Sequence, residues 1–149
     1  MKNSCGKLEW FGGNADALQV YQAMVDLAHT WDDLVDKDKD VSQEDINRGF
    51  LICLVYLQTN PFYRQIQDQI IPMWVSVVSA YETANQFEKT KDEHGIEIAH
   101  TLRYAAGHIV SYMVHVCVGA DKAKEIMPEV WKTMVPERFE DYRKEHLDA

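Results

Sequence analysis

Apolar residues at Ala17, Tyr21, Met24, Ala28, Trp31 and Val35 recur every three or four positions, which lays one stripe along a helix running from about Asn14 to Asp36. Asn14 or Asp16 can cap its start. Ile46, Phe50, Cys53, Leu54 and Leu57 share one face of a second helix, opened by Ser42 with an acid three residues on. Asn60 as cap and Pro61 as first residue open a third, whose stripe is Phe62, Ile66, Ile70, Met73, Val77, Tyr81, Ala84 and Phe87. Pro72 predicts a kink or a split in it. Thr90-Lys91-Asp92-Glu93 is a capping-box pattern that starts a fourth helix at about residue 91, continued to Val118 with Gly119 as its stop. A short helical piece from Asp121 to Met127 and another opened by Pro128 follow, then a charged tail over 136–149. Residues 1–13, with Gly6, Gly12 and Gly13 around Leu8, Trp10 and Phe11, predict an irregular arm that docks two aromatics. No stretch alternates with period two, so the fold class is all-α: a compact bundle of about four main helices plus short C-terminal helices.

Composition narrows the function. At 149 residues with 46% hydrophobic side chains the chain predicts a single domain, 1–149, with a real core. Fifteen basic residues face 24 acidic ones, a formal charge of −9, and no basic run is present; this speaks against a protein that grips a nucleic-acid backbone. No apolar run approaches ~18 residues and no signal-like segment opens the chain, so neither a membrane span nor secretion is expected. Cys5, Cys53 and Cys117 lack metal-ligand spacing and read as reduced thiols of a cytoplasmic protein.

The chemistry concentrates in His29-Thr30-Trp31-Asp32-Asp33-Leu34-Val35-Asp36, with Asp38 and Asp40 just beyond. Taking Ala17 as zero and advancing about 100° per residue, Asp32 falls near 60°, inside the apolar stripe. Asp36 and His29 follow at its edge near about 100° and 120°, and Asp33 points outward near about 160°. Asp32 and Asp36 are an i,i+4 pair on the core side, where an uncompensated carboxylate costs several kcal/mol. Hard cations take oxygen ligands, so Mg²⁺ or Mn²⁺, and Ca²⁺ less readily, would compensate them.

Asp32-Asp33-Leu34-Val35-Asp36 resembles the first aspartate-rich motif, D-D-x-x-D, of the isoprenoid diphosphate synthase-like superfamily, with Asn47-Arg48-Gly49 similar to the flank that follows it there. The resemblance covers about 20 residues. It implies that Asp32 and Asp36 hold Mg²⁺ ions bridging to the diphosphate of a small molecule, with Asp33 assisting through water. His29 would then serve as hydrogen-bond partner or proton carrier.

Other readings use neighbouring residues. Asp33-x-x-Asp36 with Glu93-His94-Gly95-Ile96-Glu97 resembles the paired acidic motifs of all-α nucleotide pyrophosphatases of the MazG-like kind, which implies Glu93 and Glu97 as further metal ligands and a hydrolytic reaction. Asp36-x-Asp38-x-Asp40 matches half of a calcium loop, but Val41 replaces its turn glycine and Asn47 its last ligand. Arg103, at the edge of the fourth helix's stripe, calls for an anionic partner: Asp32 or Asp36 as an ion pair, or a substrate phosphate. His94, His100, His108 and His115 lie off the four-residue spacing of helix-borne metal pairs and read as surface or subunit-contact residues. A non-catalytic, acidic interaction protein, self-associating through residues such as Met73, Trp74, Trp131 and Met134, is the competing class, supported by the lack of a second Asp-rich motif downstream.

Overall fold

Asn14 turns the chain into its first long helix by accepting a hydrogen bond from the Ala17 N–H at 3.1 Å, which satisfies one of the donors a helix start leaves open. In this computed structural model, which describes residues 4–37 and 39–148, every regular element is helical. The all-α expectation holds. The chain divides into two compact units, 1–68 and 69–149, with the boundary inside one long helix.

The first unit opens with α1 (Ser4–Trp10) and α2 (Ala15–Asp36). The arm predicted as irregular is therefore largely a short helix, while Met1–Asn3 lie outside the described residues. It does dock its aromatics: Trp10 and Phe11 are buried, with ring centroids 5.8 and 5.9 Å from that of Tyr21 on α2. The buried residues of α2 are Ala17, Val20, Tyr21 and Met24, all in its first half. Lys37 ends the helix in the left-handed conformation (φ 57°), its N–H donating to the Asp33 carbonyl.

Ser42 then caps α3 (Gln43–Leu51): its Oγ accepts from the Asp45 N–H at 3.0 Å and donates to the Asp45 carboxylate at 2.9 Å. The helix does not continue as a plain α-helix. Ile52–Tyr56 forms a π-helical segment, followed by a last α-turn, α4 (Leu57–Thr59). The N–H of Leu57 reaches back five residues to the Ile52 carbonyl, and the Thr59 hydroxyl donates to the carbonyl of Val55. This overturns the predicted core face. Five residues per bonded turn bring Leu57 into line with Ile52, and these two are buried with Gly49, while Phe50, Cys53 and Leu54 face outward.

Asn60 caps α5 (Pro61–Thr90) by accepting from the Tyr63 N–H at 3.0 Å, and its amide donates to the Asp16 carbonyl at the start of α2. Pro72 does not split α5. The proline is exposed, so the carbonyl deprived of its donor can turn to water.

In the second unit the predicted fourth helix is two, α6 (Glu93–Leu102) and α7 (Gly107–Val118), and its cap is Asp92 rather than Thr90: the Asp92 carboxylate accepts from the Gly95 N–H at 2.7 Å. Residues 103–106 tighten into a turn of i to i−3 bonds, such as Gly107 N–H to Tyr104 carbonyl at 2.8 Å. Gly107, the first residue of α7, lies against Trp131, so close that a Cβ there would meet the indole at 2.5 Å. Gly119 ends α7 with φ 81°, as its residue type predicts. α8 (Ala120–Met134) runs unbroken through exposed Pro128, in place of the two pieces expected. The charged tail is a helix, α9 (Phe139–Leu147), whose Tyr142 joins Ala84, Ile96 and Ala99 in a buried cluster rimmed by Phe87, Leu102, Phe139 and Leu147.

Candidate functional site

The Asp-rich end of α2 extends past the buried half of that helix. Asp32 and Asp33 are half-buried, and Asp36 and His29 are exposed, as are Leu34 and Val35. The expectation that the i,i+4 pair faces the core is corrected accordingly: the apolar stripe continues in sequence after Met24, but its later residues are not enclosed, so the wheel's inner face is not a buried face. Asp33, expected outermost, is as covered as Asp32.

α3 packs beside this part of α2. Gly49 is buried with the Leu27 methyl 3.6 Å from where its Cβ would stand, and the Arg48 guanidinium donates to the Asp26 carboxylate at 2.8 Å. Both members of that pair are well exposed, so it contributes at most ~1 kcal/mol and serves mainly to set α3 against α2. The Arg48-Gly49 dipeptide thus makes a helix–helix contact one to two turns before the aspartates, with Ser42, Glu44 and Asp45 opening the helix that follows the loop.

The end of α2 concentrates like charge. Its last turn holds no basic side chain, and three carboxylates sit where the helix already presents the negative pole of its dipole. Like charges at i,i+4 and the dipole each cost a few tenths of a kcal/mol to about 1 kcal/mol. Among the described residues no three His, Cys, Asp or Glu side chains are grouped as a ready metal-ion site. Asp36 is a helix-surface neighbour of both Asp32 (i,i+4) and Asp33 (i,i+3), and Asp38 of the half calcium loop lies outside the described residues. A cation held here would draw its remaining oxygen ligands from water or from a bound anion, as Mg²⁺ usually does.

The remaining candidates lie in the second unit, each with a partner of its own. Glu93 accepts from Arg143 at 2.8 Å, and Glu97 stands 3.6 Å from His94. Arg103 is held by Glu88 in a charge-assisted hydrogen bond, with Asn85 accepting at 3.5 Å and the Tyr81 ring 5.6 Å below the guanidinium. Both side chains of the Arg103–Glu88 pair are only 13% exposed. The same Glu88 oxygen accepts the Tyr142 hydroxyl at 2.6 Å and lies 3.9 Å from His146. Burial first, then the bond to Glu88, pushes the Tyr142 phenol far above its ordinary range. Glu137 nearby is also raised, by burial and then by Glu145; its backbone carbonyl lies 2.8 Å from His100. This cluster was missed in the sequence, although one signal was present: Glu88 stands four residues after Ala84, in line with the stripe of α5, where a carboxylate requires a cation.

Of the other histidines, His108 stacks its edge on Trp131 at 5.0 Å and His115 bonds the Ser111 carbonyl on its own helix. No described helix is long and apolar enough to cross a membrane. No protein-family model matches the chain, and comparison with the curated proteins and with the solved structures also gave no match.

Proposed function

We propose that the end of α2 binds a divalent cation, Mg²⁺ or Mn²⁺, and through it a diphosphate-bearing small molecule. The observation that carries this reading is the helix end itself: Asp32, Asp33 and Asp36 crowd the negative pole of α2 with no basic residue in the last turn. A doubly charged cation relieves both repulsions at once. Asp32 and Asp36, one turn apart, supply the direct oxygens, and Asp33 acts through water. The diphosphate completes the coordination, which is how Mg²⁺ bound by one or two carboxylates ordinarily fills its shell. His29, exposed one turn before Asp33, would hydrogen-bond the anion. Arg103 has no part in this version, because its guanidinium is engaged by Glu88 and Asn85.

Thermal melts with and without millimolar Mg²⁺, Mn²⁺ and Ca²⁺, each repeated with pyrophosphate, test it. The melting temperature should rise with Mg²⁺ or Mn²⁺ and rise further with pyrophosphate. The double variant Asp32→Asn, Asp36→Asn should show neither rise. A melting temperature indifferent to every cation would overturn the reading. Pyrophosphate or nucleoside triphosphate consumed in the Mg²⁺ sample would add a hydrolytic reaction to the binding.

A further inference from the structure

The sequence writes the second helix as amphipathic, yet the structure turns its most apolar rows outward. Phe50 and Leu54 are 64% and 69% exposed, and Leu51 and Val55 are 45% and 41% exposed. Phe50 with Leu54, and Leu51 with Val55, form two adjacent i,i+4 rows. They lie opposite the buried row of Gly49, Ile52 and Leu57. The π-helical segment causes this. In an uninterrupted α-helix Phe50, Leu54 and Leu57 would form one row; the five-residue bond from Leu57 to Ile52 draws Leu57 inward and leaves the other two outside.

We propose that this strip is the contact between two copies of the chain, packed antiparallel across a two-fold axis. Charge distribution selects a second copy. The chain carries 24 acidic residues, yet none occurs between Asp45 and Asp68, and the only charges in that window are Arg48 and Arg64. On a molecule of net charge −9 this is the stretch where an identical copy can approach without like-charge repulsion. Acidic Glu44 and Asp45 sit at one end of the helix, so an antiparallel pairing keeps those of the two copies apart by more than a screening length of ~8 Å. Area fits as well. The four side chains expose roughly 400 Å², about half of the ~800 Å² that each side of a standard interface buries, which is the apolar share such interfaces carry. A two-fold axis makes a strip of this kind complementary to itself.

Sedimentation velocity on the full chain, from about 1 to about 100 μM, spans the range where such a contact would show. Wild type should shift from monomer to dimer across it. Leu54→Glu should stay monomeric at every concentration while keeping the wild-type circular dichroism spectrum, since Leu54 is solvent-facing. Gln22→Glu, a charge added at an exposed position of another helix, α2, should still dimerise. A wild type that stays monomeric throughout, or a dimer that Leu54→Glu leaves intact, would overturn the proposal. So would a monomeric wild type that co-sediments with vesicles of anionic lipid, which would make the strip a membrane-facing surface.

Discussion

Arg103 shows how a single residue can be legible in kind and illegible in partner. Its place at the edge of an apolar stripe demands an anion, and the structure provides Glu88, which also takes the Tyr142 hydroxyl. Sequence spacing reveals such a demand but carries no information about which distant carboxylate meets it. Because both side chains are largely buried, Arg103→Ala should cost ~3–5 kcal/mol, the usual cost of leaving a buried charge without its partner. Urea unfolding followed by far-ultraviolet circular dichroism measures it. Replacing Arg103 by Met, Glu88 by Leu and Tyr142 by Phe together should lose much less, since no buried polar group of the three is then left unpaired.

At the scale of elements, the signals that proved readable are local ones. Asn14, Ser42 and Asn60 cap where their side-chain oxygens can reach a backbone N–H three residues on, and Gly119 stops α7 because its φ is positive. Breaks and continuities set by packing could not be read. Pro72 predicts a kink or a split and Pro128 the opening of a new helix, but both are exposed and the helices pass through them. Where α7 starts, Trp131 on α8 occupies the space beside Gly107, a contact between residues far apart in sequence. Gly107→Ala should therefore destabilise the protein by ~1–3 kcal/mol, the cost of overpacking against a rigid ring. In an exposed helix the same change would stabilise by up to about 1 kcal/mol. Thermal denaturation of the variant decides the sign. The aspartates of α2 illustrate the other limit: their cluster is evident from residue types, whereas their degree of cover depends on where the packed part of α2 ends.

For the whole molecule, charge and pH are the natural variables. Glu137 has its carboxyl raised above its ordinary 4.5 by burial and by Glu145, against the opposing pull of His100, Arg103 and His146. The folded state therefore binds this proton more tightly than the unfolded chain does, and between the ordinary and the raised value stability falls as pH rises. Below that window the penalty is absent; above it the penalty is complete. Glu137→Gln should accordingly melt higher than wild type at neutral pH, with the difference shrinking as pH drops from about 7 to about 4. A difference independent of pH would place the effect in packing instead. Tyr142, raised far more strongly by burial and by Glu88, adds the same sign at the alkaline end, so stability should decline as pH passes the ordinary tyrosine range near about 10.

Proline has no N–H, so Pro72 withholds the donor that the Asp68 carbonyl would otherwise receive four residues upstream, and Asp68 is where the first unit ends. The hydrogen-bond ladder of this 30-residue helix thus lacks a bond at the residue where the first unit ends. Amide exchange should be faster at Gln69, Ile70 and Ile71 than in the flanking turns of α5, even though Ile70 is fully buried. Exchange followed residue by residue would show a fast window bracketed by slow ones. Pro72→Ala should close that window without altering either flank.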